Sequence, residues 1–177
     1  MQGDYEAHAK AFREAGAEPY EVRTAAELKR AEALVLPGGE SSTMIKLLHR
    51  EKLWQPLREA ALAKPVFATC AGAILLAKRV TNPKQESLGV ADIDVERNGY
   101  GRQLQSSVEK LGFAGSDLEA VFIRAPIIRR TGPDVVALAW HKENPVLVRQ
   151  GRHLIATFHP ELSNDRRLQK LFLETLG

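Results

Sequence analysis

The chain has one cysteine, Cys70, within the stretch FATCAGAILLA from Phe67 to Ala77. Small residues, Ala68, Ala71 and Gly72, surround it where an apolar β-type run meets the start of a helical pattern. A side chain on such a junction projects above a sheet, and small neighbours let its backbone pass close to other elements, as in the strand–nucleophile–helix elbow of hydrolases. The following helix N-terminus favours negative charge and aims amide N–H groups at an oxyanion forming beside the sulfur. A cysteine serving as a small buried hydrophobe accounts for the same stretch equally well.

Two further stretches weigh toward chemistry. In LPGGESST, glycines at a strand end allow backbone amides to line a pocket without Cβ obstruction, as an oxyanion site requires. In FHPEL, His159 follows the apolar run LIATF, Pro160 stiffens the turn, and Glu161 stands two residues on, where it can orient the imidazole. The other four histidines, His8, His49, His141 and His153, are expected in surface or packing roles. A nucleophile, a base, an orienting acid and an oxyanion loop suit acyl transfer. One cysteine and scattered histidines offer no metal-ligand cluster, and PGGESST lacks the lysine of a phosphate-binding loop.

These residues need a scaffold of strands and helices. A helix is expected over Glu6–Gly16 with Ala7, Ala11, Phe12 and Ala15 on one face, then a strand over Ala33–Leu36. A helix from about Met44, with capping candidates Ser41 to Thr43, precedes a second over LWQPLREAALA and a strand over PVFAT. After the polar loop TNPKQESLG, strands are expected at Gly89–Glu96, Ala120–Arg124, Val135–Trp140, Pro145–Arg149 and His153–Phe158. Gln150-Gly151 marks a hairpin, and a last helix covers about Arg166–Leu176, capped by Asn164 or Asp165. The pattern predicts an α/β fold: parallel strands with helices on both faces and a late antiparallel portion. No repeat, low-complexity tract or linker divides the chain, so residues 1–177 are expected to form a single domain.

The composition sets outer bounds. At 177 residues, 44% hydrophobic and 27% charged, the chain can build a substantial core. Its net charge of +3 is spread among acids, with Arg129-Arg130 and Arg166-Arg167 the tightest cationic pairs, which argues against nucleic acid as a partner. The apolar run Ala71–Ala77 is far short of the roughly 20 residues that span a bilayer. A lone cysteine and a polar Gln2–His8 stretch lead to the expectation of a reducing, cytoplasmic location and no membrane partner.

PGGESST, TCAG, VERNGYGRQ, VFIRAP and FHPEL, in that order, closely resemble the glutaminase subunits of pyridoxal 5′-phosphate synthase, which are class I (triad) glutamine amidotransferases. The resemblance runs from QGDYEAH to the last helix, and VERN, GRQ and FIRAP carry its specificity. It implies a flavodoxin-like three-layer sandwich and hydrolysis of L-glutamine to L-glutamate and ammonia. Cys70 would form a glutamyl thioester, His159 would shuttle protons and Glu161 would hold His159. Gly39, Glu40 and Ser41 match the family's glutamine-binding loop, Arg97, Ile123 and Arg124 match its other substrate contacts, and the amides of Gly39 and Ala71 match its oxyanion site. The implied partner is the synthase subunit that consumes the ammonia, with pyridoxal phosphate as pathway product and no cofactor in this subunit.

The sequence departs from the family in three places. Ala68 stands where the elbow has glycine, SST replaces STT after Glu40, and the apolar strand that opens family members is represented only by MQG. Gln2 and Gly3 match a loop near the active site. Ala68 and the shortened start suit a non-catalytic scaffold of the same complex; the elbow alone would also suit another triad amidotransferase or a cysteine peptidase. Cys70, His159 and Glu161 together weigh against the scaffold, and Arg97, Arg124 and GRQ weigh against the others. A central strand shields two neighbours and pairs their backbones. The chain extended upstream by such a strand is therefore expected to be more soluble and to melt higher; equal melting temperatures would refute this.

Overall fold

A computed structural model describes residues 5–99 and 106–177; Gln2, Gly3 and the GRQ segment lie outside them. Helix α1 (Tyr5–Glu14) is followed by α2 (Ala25–Arg30), strand β1 (Leu34–Leu36), α3 (Ser41–Arg50), α4 (Trp54–Ala63), β2 (Val66–Thr69) and α5 (Ala71–Leu76). Strands β3 (Ala77–Thr81) to β10 follow: β4 (Ala91–Glu96), β5 (Ser106–Phe113), β6 (Ser116–Ile123), β7 (Ile127–Thr131), β8 (Val135–His141), β9 (Asn144–Gln150) and β10 (His153–Ala156). A 3-10 turn (Pro160–Leu162) and α6 (Arg167–Leu173) close the chain.

The central sheet runs β1-β2-β10-β9-β8. β1 and β10 flank β2 in parallel, with Leu36 opposite Ala68 and Ala156 opposite Thr69. β9 and β8 continue antiparallel, and the expected hairpin pairs Gln150 with His153. Side-chain alternation along buried strands separates two cores. Val66, Ala68 and Ile155 face one side with residues of α2, α3, α4 and α5. Phe67, Leu154 and Ala156 face the other with Phe12 of α1 and Leu168 and Phe172 of α6. The result is the α/β sandwich with helices on both faces. Two smaller sheets, β3-β4-β7 and β5-β6, extend it.

Several elements differ in detail from expectation. The buried stripe of α1 is His8, Ala9, Ala11 and Phe12, while Ala7 and Ala15 are only half-buried. His8 and Phe12, one turn apart, both meet Phe67 edge-on, at 6.3 and 5.3 Å between ring centroids, and set the helix rotation. α3 begins at Ser41, not Met44, because Glu40 is its cap: the carboxylate accepts from the Ser42 and Thr43 amides, whereas a serine hydroxyl would serve one. β6 begins four residues before the expected Ala120 and ends at Ile123, since Arg124 turns to φ +43°. Helix α2 is an addition to the expected elements; Thr24 and Glu27 form a reciprocal capping box at its start, and the Lys64 ammonium donates to the carbonyls of Leu28, Lys29 and Ala31 at its end. Strands β3, β5 and β7 are likewise additions.

β1 has a bonded neighbour on one edge only among the described residues. Beside its other edge lies a cavity of about 580 Å³, walled by Phe12, Leu28, Leu34, Leu57 and Phe172 and reaching His8. α5 in turn sits so close to β1 that a Cβ on Gly72 would stand 2.1 Å from the Leu36 carbonyl oxygen. Gly72→Ala is expected to destabilise the fold by about 2–3 kcal/mol, because backbone and not a flexible side chain must yield; urea unfolding measures it.

Candidate active site

The site is built at the carboxyl ends of β2 and β10. Cys70 joins β2 to α5 with φ +46° and ψ −106°, a conformation L-residues rarely adopt. Hydrogen bonds hold it there: its amide donates to Ala156 O at 2.9 Å, extending the β10 ladder, and its carbonyl accepts from Ala73 N and Ile74 N. Ala68 is fully buried beneath this junction, so its methyl is accommodated within the elbow. The Cys70 Sγ lies 3.9 Å from Ile123 O and near enough to His159 to raise the pKa of that ring.

His159 follows β10, its amide donating to Val121 O of β6 at 2.8 Å. Its ring packs against the PGG loop: a Cβ on Gly38 would fall 2.4 Å from Cε1, so this glycine clears space for the imidazole. Glu161, in the 3-10 turn, accepts from His159 Nδ1 at 2.7 Å. Both residues are buried. Burial alone would lower the His159 pKa, but hydrogen bonding to Cys70 and Glu161 outweighs it and raises the value to about 10. Burial likewise opposes the charge on Glu161, yet hydrogen bonds from His159 and His8 bring it down to about 2.

His8 departs from the role expected of it. It is buried, and its Nε2 lies 3.1 Å from Thr69 Oγ1 and 3.3 Å from Glu161 Oε1. The only sequence signal for this is a polar residue one turn from Phe12 on an otherwise apolar stripe. His49 does occupy the surface, stacked on Trp54 and paired with Glu86.

The remaining candidates divide. Glu40 and Arg97 come together across the site mouth at 2.9 Å. Although burial opposes its charge, Glu40 is held at about pKa 2 by the Thr43 hydroxyl and the Thr43 and Ser42 amides. Ser41 is buried, with its hydroxyl donating to Gln85 Oε1 at 3.0 Å. Gly39 is exposed in the loop before α3, and Ala71 is the first residue of α5. Ile123 brings its carbonyl to Cys70, and the adjoining Arg124 is exposed. Among the described residues no cluster of three His, Cys, Asp or Glu could hold a metal, and no helix is long and apolar enough to cross a membrane.

The sign of the pH dependence follows from these shifts. The His159 contribution to stability is complete below its ordinary value of 6.5 and is lost as pH rises toward 10. The Glu161 contribution is complete above 4.5 and is lost as pH falls toward 2. In Glu161→Gln the His159 ring is expected to titrate ~1–3 pH units lower, the partner charge being gone; an NMR titration of the imidazole measures it.

The sequence matches the SNO glutamine amidotransferase family over residues 1–177. It is 53% identical to the pyridoxal 5′-phosphate synthase subunit PdxT of Solibacter usitatus, across 99% of this chain and 96% of that one. The protein of the same name from Thermotoga maritima is 48% identical, across 98% and 95%. Among solved structures, a glutamine amidotransferase superimposes with a TM-score of 0.91 at 44% identity, covering 99% of this chain and 95% of that one. Another glutamine amidotransferase, from Thermotoga maritima, shares the fold at 18% identity, with a TM-score of 0.58 over 96% of this chain and 89% of that one. The chain belongs to the SNO glutamine amidotransferase family.

Proposed function

We propose that the chain, acting as one amidotransferase domain over residues 1–177, hydrolyses L-glutamine to L-glutamate and ammonia with Cys70, His159 and Glu161. The observation that carries this reading is the buried His159–Glu161 pair, Nδ1 to Oε1 at 2.7 Å, with Cys70 on its strained elbow near enough to raise the pKa of the ring. With the His159 pKa at about 10 the ring already holds the proton, and the Cys70 sulfur beside it attacks the carboxamide carbon. The tetrahedral oxyanion is met by the amides of Gly39 and Ala71. The C–N bond breaks as His159 returns the proton to nitrogen, releasing ammonia and leaving the γ-glutamyl thioester. Water then gives a proton to His159 and attacks, the C–S bond breaks, and the sulfur is released beside the protonated ring.

Free glutamine presents an α-carboxylate and an α-ammonium at its far end. Arg97, Arg124 and Glu40 offer matching charges, and the Ser41 backbone and Ile123 carbonyl complete the pocket. The Arg97–Glu40 pair, 2.9 Å apart, would give way to two substrate ion pairs of the same kind. The ammonia is passed to a synthase subunit that builds pyridoxal 5′-phosphate, a role supported by the names of the full-length relatives. The complex works in the cytoplasm.

Glutamate release from L-glutamine, assayed with and without the synthase subunit, is expected to rise when that subunit is added. Cys70→Ala is expected to lower kcat by at least ~10³-fold while leaving synthase binding unchanged. Retained turnover would place the nucleophile elsewhere.

A further inference from the structure

We propose that His8 is a positioning residue for the relay, tying the nucleophile's strand to the acid that holds His159; this rests on the glutaminase reading above. Its Nε2 faces two oxygens, Thr69 Oγ1 at 3.1 Å and Glu161 Oε1 at 3.3 Å. A carboxylate only accepts, so the proton belongs to Nε2, which donates to the Thr69 hydroxyl and stands 3.3 Å from the carboxylate as a paired group. His8 Nδ1 is buried without a partner among the described residues, so this one N–H orients the whole ring. Thr69 immediately precedes Cys70, and Glu161 lies behind His159. The bond therefore spans the two ends of the relay from outside it.

Glu161 needs that second donor. Its side chain is fully buried, and its Oε2 has no hydrogen-bond partner among the described residues. Among the described residues Oε1 thus takes both contacts of this buried carboxylate, the hydrogen bond from His159 at 2.7 Å and the His8 ring nitrogen at 3.3 Å. With His8 removed, one contact alone would fix the carboxylate. The His159 ring would lose part of the backing that orients it. A displacement on the order of 1 Å at reacting atoms costs up to ~10²-fold in rate. Binding of glutamine, governed by Glu40, Arg97 and Arg124, would be untouched. His8 reaches the site because α1 rests on the 3-10 turn and on Phe67.

A packing role for the ring against Phe67 makes different predictions, and the complex with the synthase subunit tells them apart. His8→Leu keeps apolar bulk and removes the donor; His8→Gln restores an N–H near Nε2. The leucine variant is expected to lower kcat roughly 10- to 100-fold with KM for glutamine unchanged. The glutamine variant is expected to recover most of that loss. Wild-type kcat in His8→Leu would overturn the proposal, as would equal impairment of the two variants with both folded by circular dichroism. If the leucine variant does not fold, Thr69→Val provides the test: it keeps volume and deletes one acceptor, and an unchanged kcat there overturns the bridging role. A wild-type complex that releases no glutamate would instead remove the glutaminase reading, and this proposal with it.

Discussion

Cys70 adopts its positive φ because everything around it leaves no alternative. Such a backbone costs on the order of 1–3 kcal/mol and persists only where its surroundings over-determine it. Here the Ala156 carbonyl fixes the amide, the Ala73 and Ile74 amides of α5 fix the carbonyl, and Gly72 lets α5 settle onto the Leu36 carbonyl. Those three contacts come from β10, α5 and β1, so the elbow draws on the whole parallel half of the sheet. Held in this way, the junction carries the Cys70 side chain to 3.9 Å from the Ile123 carbonyl.

The electrostatics obey the same logic of competition. Burial penalises the charge on both His159 and Glu161, and in isolation would neutralise them. Direct hydrogen bonds win, moving the imidazole from 6.5 to about 10 and the carboxylate from 4.5 to about 2. Glu40 is held charged in the same way, by partners in the helix it caps. The amides that open α3 already hold it charged, so its orientation survives the loss of Arg97 to a ligand. A substrate ammonium would find it pre-organised.

The chemistry-bearing residues are legible because each sits inside a short local pattern: a thiol between small residues, glycines at a strand end, a histidine two residues from a carboxylate. The parallel core strands announce themselves as compact apolar runs, VFAT and LIATF. What escapes is whatever depends on distant partners. α2 buries only Leu28 and so has no apolar stripe, although Thr24 and Glu27 spell its cap. β5 buries only Leu111 and is defined by β6, not by its own composition. His8 carries no motif, because its partners Thr69 and Glu161 come near only after the chain has folded, Thr69 being 61 residues away. Gly38 reads in sequence as a second oxyanion glycine beside Gly39, while its tightest contact is with the imidazole.

The place of β10 in the sheet has a consequence for the order of events during synthesis. Residues 153–156 are inserted between β2 and β9, strands that precede them in the chain. Until they emerge from the ribosome, β2 and β9 each lack an inner neighbour, and the Cys70 amide lacks the carbonyl that fixes it. Long-range strand insertion of this kind is slow because loop closure precedes any return in contacts. The Glu14–Arg166 pair, 152 residues apart, ties the two ends only afterwards. A nascent chain therefore holds Cys70 without that partner until residues 153–156 arrive, and the elbow is completed from the C-terminal side.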